Sequence, residues 1–233
     1  MDLLDSLKVE NHLDQRVAIL VKNGSVSFDG SIHLCATNEA LHKALLSLND
    51  NSSTLQYVED YLGRALYFAL TMDGTPDLIM HGDKDTDVRL GRTQLEGLRP
   101  LAVAFRALLA VSEGRMTLSE AIPDISGTTY FYVGNKPDEG SVVRLQDTVK
   151  NLTTISVERG EKSIEMVALF LTKEAAYSHA NSLNVPLSEV GLVEALSLWS
   201  YKMPLCIEYH APYSVALAPE SVLQSVIAKN NNQ

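Results

Sequence analysis

The stretch "TNEALHKALLSLN", residues 37–49, returns further down the chain as "TKEAAYSHANSLN", residues 172–184. In each, a threonine opens the segment, a glutamate follows two residues later, and Ser-Leu-Asn closes it. The threonine is suited to cap a helix, and the glutamate suits the positive end of the helix dipole. Leu41, Ala44, Leu45 and Leu48 recur at i, i+3, i+4 and i+7, which predicts one apolar helical face. Laying Thr37 on Thr172 without gaps also matches Glu39/Glu174, Ala40/Ala175, Ser47/Ser182, Leu48/Leu183 and Asn49/Asn184. The matches continue with Ser53/Ser188, Val58/Val193 and Glu59/Glu194.

Working outward, both halves present elements in one order. Each has a hairpin, a strand, the Thr-x-Glu-Ala helix, a second helix, an apolar strand, a loop with proline (Pro76, Pro212) and a short strand entering another helix. In the first half, an amphipathic helix is expected over 2–13. "RVAILVK" and "SVSF" flank Asn23-Gly24, whose positive φ angles suit a tight hairpin. "GSIHLCA" follows as a strand, a second helix is expected over about 54–63, and strands at "ALYFALT", "DLIMHG" and "DVRL" precede a long helix over about 92–113. In the second half, strands are expected at "TTYFYVG", "SVVRLQ", "TTISVE", "SIEMVALFL", "PLCIEYH" and "YSVALA", with a helix over 188–199 and a last one opened by Pro219. Between the halves, Thr117 and Glu120 have capping-box spacing for one short helical turn stopped by Pro123. The expected fold is α+β: two similar α/β sandwich-like domains from internal duplication, with mixed sheets and helices packed on them. Their expected bounds are 1–113 and 128–229, with a linker at 114–127 and a disordered tail at 230–233.

Composition narrows the task. The chain has 233 residues, 45% hydrophobic and 21% charged, with a formal net charge of −10. Such a charge disfavours contact with nucleic acid or anionic lipid. The apolar segment "LRPLAVAFRALLAV" is broken by Arg99, Pro100 and Arg106, short of the ~20 apolar residues of a membrane span. An acidic N-terminus and two distant cysteines, Cys35 and Cys206, fit a cytoplasmic chain with reduced thiols.

Residues 128–228 resemble the N-terminal domain of the enhanced serine sensitivity protein family. The likeness lies in "MVALFLTKEAA", in "SEVGLVEALSLW" and in "PLCIEYHAPYSVALAPESVLQSV". It implies a small bacterial α/β architecture over about half of the chain, or over most of it if the first half is a diverged copy. The family has no established catalytic site, so the resemblance implies no chemistry.

No P-loop, GxGxxG, HExxH, CxxC or GxSxG motif is present. The histidines at 12, 33, 42, 81, 179 and 210 form no metal-ligand spacing. Asp83, Asp85 and Asp87 lack the glycine and glutamate of a calcium loop, and read as a solvated acidic loop. No catalytic residue, metal or cofactor is expected. For a protein partner, two sets stand out. Leu95, Leu98 and Phe105 belong to a narrow helical seam that suits a second helix, packing on the chain's own sheet being the competing reading. Trp199, Tyr201, Tyr209, His210 and Tyr213 are of the types enriched in interface hot spots, and edges of a small α/β domain would look the same.

The expected function is therefore a non-catalytic adaptor, scaffold or chaperone-like subunit of a larger assembly, such as a secretion machine, binding another protein or a second copy of itself. The alternative is an enzyme or small-molecule-binding protein with a site between the halves, which should gather His33, His81 or His210 with acidic side chains.

Overall fold

The computed structural model describes residues 9–48, 54–83, 87–135, 154–159, 162–182, 184–199, 203–208 and 211–220. The chain divides into two compact units, Met1–Ala102 and Val103–Gln233. Both are α+β, with helices packed on mixed sheets.

In unit 1, a 3-10 turn at Val9–His12 leads to β1 (Arg16–Lys22). Asn23 and Gly24, at φ 52° and 81°, turn the chain back, and Lys22 and Ser25 exchange both backbone hydrogen bonds at 2.9 Å. A second turn of the same kind follows. Asp29 and Gly30, at φ 52° and 74°, join β2 (Ser27–Phe28) to β3 (Ser31–Cys35). Thr37 then caps α1 (Asn38–Leu48), its Oγ1 accepting the Ala40 N–H at 3.1 Å.

Two expectations fail immediately after α1. Residues expected as a helix over 54–63 form β4 (Leu55–Tyr61), paired antiparallel with β1 along its whole length. "ALYFALT", expected as a strand, lies in α2 (Leu62–Thr71), where Leu62, Ala65, Leu66 and Ala69 are buried. β5 (Asp77–His81) and β6 (Val88–Leu90) complete a sheet of order β4-β1-β3-β5-β6, with β2 on β3. α3 (Arg92–Gly97) and α4 (Arg99–Ser112) divide the expected long helix at Leu98.

Strand alternation sorts the sheet's side chains. Ala18, Leu20 and Cys35 face α1 and pack with Ala40, Leu41 and Ala44. Val17, Ile19, Ile32, Leu34, Leu78 and Met80 lie on the opposite face and are buried as well, with α2 packed on β1 and β5.

In unit 2, Thr117 caps α5 (Leu118–Ile125) through the expected capping box. Pro123 lies inside that helix instead of ending it, and Ala121, Ile122 and Ile125 are buried. Then come β7 (Thr129–Val133), β8 (Thr154–Arg159), β9 (Lys162–Leu169), α6 (Lys173–Ala180), β10 (Leu187–Gly191), α7 (Leu192–Leu198), β11 (Leu205–Ile207) and β12 (Val215–Leu217). The helix expected over 188–199 thus begins with a strand, the same departure as in unit 1. Pro219 and Glu220 are helical, as expected. The expected helix at 2–13 mostly, the strand "SVVRLQ" and the tail at 230–233 lie outside the described residues.

Pairing in unit 2 repeats that in unit 1. β10 pairs with β7, β8 and β11 pair with β9, and β12 pairs with β11, each in the sense seen in unit 1. Phe131 and Phe170 bridge β7 to the end of β9, exchanging hydrogen bonds of 2.7 and 2.8 Å. Unit 2 thus has a two-stranded sheet, β10-β7, and a four-stranded one, β12-β11-β9-β8. The Phe131–Phe170 bridge places them in the order β10-β7-β9-β11-β12 with β8 on β9, matching β4-β1-β3-β5-β6 with β2 on β3. Registers carry the correspondence to single residues. Ala18 pairs with Cys35 and Glu59; Phe131 pairs with Phe170 and Glu189. Cys35 and Phe170 each stand two residues before the capping threonine, so Glu59 corresponds to Glu189. The ungapped matches Val58/Val193 and Glu59/Glu194 join β4 to α7 and are not equivalent positions.

Gly30 has open space around its Cα but sits at φ 74°, so its requirement is purely conformational. Gly30→Ala is expected to destabilise the protein by about 1 kcal/mol in urea unfolding, the cost of a left-handed backbone for an L-residue.

Candidate functional site

Three features of unit 1 converge around α1: a histidine pair in which His33 is buried, a cleft at the helix start, and the edge strand β4.

The parallel pairing of β3 with β5 sets His33 and His81 on the α1 face of the sheet. His33 Nδ1 lies 2.9 Å from His81 Nε2, and His81 Nδ1 lies 3.0 Å from Asp87 Oδ2. The Asp87 carboxylate can only accept, which puts the proton of neutral His81 on Nδ1. His81 Nε2 then accepts from His33 Nδ1–H, and His33 Nε2 is left as a buried lone pair with no hydrogen-bond partner among the described residues. The Phe28 ring stacks on His33, with centroids 4.4 Å apart and planes within 8°. Burial lowers the His33 pKa, and the neighbouring His81 lowers it further. Lys22 acts in the same sense, while Asp29 and Asp87 oppose.

This array gathers His33, His81 and an acidic side chain, as the small-molecule alternative required, but does so inside unit 1. His210 lies outside the described residues. The array can fix tautomers and hold Asp87 against Gly82, whose N–H donates to it at 3.4 Å. Asp83 likewise accepts from the Thr37 hydroxyl, so this acidic stretch has particular partners where sequence suggested only solvent. Asp85 lies outside the described residues. Cys35, on the same strand as His33, has its thiol pKa raised to about 12 by burial and by Asp87. Burial also raises that of Cys206.

A cleft of about 310 Å³ opens beside the start of α1, lined in part by Arg16, Ala18, Cys35, Thr37, Asn38 and Glu59. Arg16 lies over the Tyr61 ring at 4.9 Å. Glu59 is exposed and has no ion-pair partner among the described residues.

β4 borders the cleft and is an edge of the sheet. Because Lys22 directs its backbone polar groups to Ser25, alternation turns those of Val21, Ile19 and Val17 toward β4. Their partners Gln56, Val58 and Asp60 answer them, and the N–H and C=O of Tyr57 and Glu59 point away from the sheet. Thr54 C=O accepting from Asn23 N–H at 2.9 Å fits this parity, as does the outward Tyr61 N–H, which donates to Asp60 Oδ1 at 2.8 Å. Tyr57 and Val58 are large apolar side chains left 47% and 50% exposed on this strand.

The partner-binding set expected from sequence lies elsewhere. Leu95 and Phe105 are fully buried, Leu98 is half-buried, and Trp199 and Tyr213 are buried. Tyr213 meets Phe105 edge-on at 4.8 Å, and Trp199 meets Tyr132 edge-on at 5.3 Å. These side chains pack within unit 2, apart from Leu95 and Leu98 in unit 1. Tyr201 and Tyr209 lie outside the described residues. Sequence reasoning passed over β4 because a strand exposed on both faces carries no alternation. It passed over the His33–His81 contact because β3–β5 pairing joins residues 48 apart in sequence.

No family model matches the chain, and no curated protein does. Among solved structures, Anabaena Tic22, titled as a protein-transport protein, is similar over 83% of this chain and 85% of its own, at 12% identity and a TM-score of 0.26. Among the described residues, no helix is long and apolar enough to cross a membrane.

The histidine geometry sets an acid limb to stability. With its folded pKa below 6.5, His33 binds fewer protons folded than unfolded, so its contribution is complete above about pH 6.5 and is lost as pH falls through that value toward the folded pKa. His33→Asn keeps an N–H donor without titrating, and is expected to flatten the fall in Tm between pH 7.5 and 5.5. An unchanged slope would contradict this account. In a separate test, native protein at pH 7.5 should leave Cys35 and Cys206 unreacted with a thiol reagent until denaturant is added.

Proposed function

We propose that this protein is a non-catalytic, protein-binding adaptor that recruits an extended segment of its partner onto the free edge of β4. One observation carries the reading: the outward N–H and C=O groups of Tyr57 and Glu59 end the hydrogen-bonding of the unit 1 sheet, with no further strand paired to β4 among the described residues. An added strand would satisfy these groups and bury Tyr57 and Val58, the two exposed apolar residues of the edge. Natural sheets usually blunt such an edge with charged side chains, above all lysine, or with proline, a bulge, shortness or a covering segment. β4 is seven residues long and carries the carboxylates Glu59 and Asp60 but neither lysine nor proline. The buried aromatics of unit 2 enter this reading only as core.

The histidine array does not carry a competing reading. Its one open lone pair, His33 Nε2, is buried, and the nearby thiol is held protonated. Neither is poised as an accessible base or nucleophile.

Tyr57→Pro tests the proposal. Proline removes an N–H that faces away from β1, which an edge strand tolerates. The variant should keep its far-UV circular dichroism yet lose any stoichiometric partner recovered with the wild type from its native host. A partner retained equally by both would contradict strand addition at β4.

A further inference from the structure

Unit 2 shows what the cleft of unit 1 lacks. In unit 2, Lys173 follows the capping threonine, its Nζ lying 3.5 Å from Glu189 Oε1 and 5.4 Å from the Phe131 ring centre. The corresponding unit 1 positions are Asn38, Glu59 and Ala18, all of which line the cleft of about 310 Å³. Cys35, also in the lining, corresponds to Phe170. Thus the edge-strand glutamate is common to both units, but the cation that answers it and the rings beneath it are present only in unit 2. In unit 1, those replacements leave an open volume beside a carboxylate with no ion-pair partner among the described residues.

We infer that the segment received by β4 carries a lysine or arginine opposite Glu59, whose head meets that carboxylate and whose stem lies over the cleft at Ala18 and Asn38. This inference rests on the strand-addition reading and names the chemistry of its partner. Residues directly opposite one another on paired strands share a face, so a side chain opposite Glu59 projects on the α1 side, where the cleft lies. Arg16 does not occupy the place, being over Tyr61. A second copy of the chain is a poorer occupant. Antiparallel self-pairing about Val58 sets Glu59 against Tyr57 and the two Glu59 side chains diagonal to each other, and two chains of net charge −10 repel.

The full-length chain can be tested with fluorescein-labelled nonapeptides of alternating threonine and valine, carrying Lys, Ala or Glu at the centre. The Lys peptide should bind about tenfold more tightly than the Glu peptide by fluorescence anisotropy, and should slow amide exchange at Tyr57 and Glu59. Asn38→Lys, which copies the arrangement of Lys173, should abolish that preference while Tm is retained. Glu59→Gln should abolish it without adding a side chain to the cleft. If all three peptides bind equally and protect β4, strand addition stands and the basic residue is wrong. If none protects β4, strand addition itself falls. If Tyr57 and Glu59 become protected only as protein concentration rises, with a dimer in sedimentation, the occupant is a second copy and the inference is overturned.

Discussion

An antiparallel strand turns the polar groups of alternate residues to opposite sides, so the outermost strand of an open sheet must leave half of its hydrogen-bonding capacity outside the ladder. In unit 1 that constraint falls on β4. The Asn23-Gly24 turn fixes which residues of β1 face β4, and the seven-residue register then fixes that Tyr57 and Glu59 face outward. At the strand's end the outward N–H of Tyr61 is met locally, by Asp60. The functional reading follows from this parity, without any catalytic group.

The two units share one frame filled in different ways. In unit 1 the helix contributes the volume, with Leu41 and Leu45 over Ala18 and Cys35. In unit 2 the sheet contributes it, with Phe131 and Phe170 under Ala176 and Ala180. Exchanging large and small partners across a helix–sheet contact conserves the total volume while moving where it sits. It also moves where space is left over. Unit 1 keeps small residues at Ala18 and Asn38 beside its edge strand, and a cleft remains there. Among the described residues the histidine stack is found in unit 1. The position matching His81 is Glu208, a buried carboxylate that accepts the Leu171 N–H.

Much of this frame was legible in the sequence. Threonine caps at 37 and 172, the Asn-Gly turn, the capping box at Thr117 and the α+β class follow from local chemistry that tertiary packing did not override. The exchange of strand and helix after α1 has one cause. "LQYVEDY" is exposed on both faces, so its strand has no period of two, while "LGRALYFALT" is buried broadly enough to read as an apolar strand. Half of that exchange recurs at the corresponding place in the second unit: Leu187–Gly191, expected within the helix over 188–199, is a strand, whereas Leu192–Leu198 is helical as expected. Asp29-Gly30 was a hairpin signal present in the sequence and passed over. The cleft and the histidine pair were beyond local reading, because strand pairing brings Glu59 beside Ala18 and His81 beside His33 from distant parts of the chain.

Residue-resolved amide hydrogen exchange along β4 in the free protein tests the central claim most directly. An open edge predicts alternation: slow exchange at Gln56, Val58 and Asp60, which face β1, and fast exchange at Tyr57 and Glu59, which face out. Uniform protection across all five would mean that the edge is already covered. Uniformly fast exchange would mean that β4 is not held in the sheet, and either result would contradict the account.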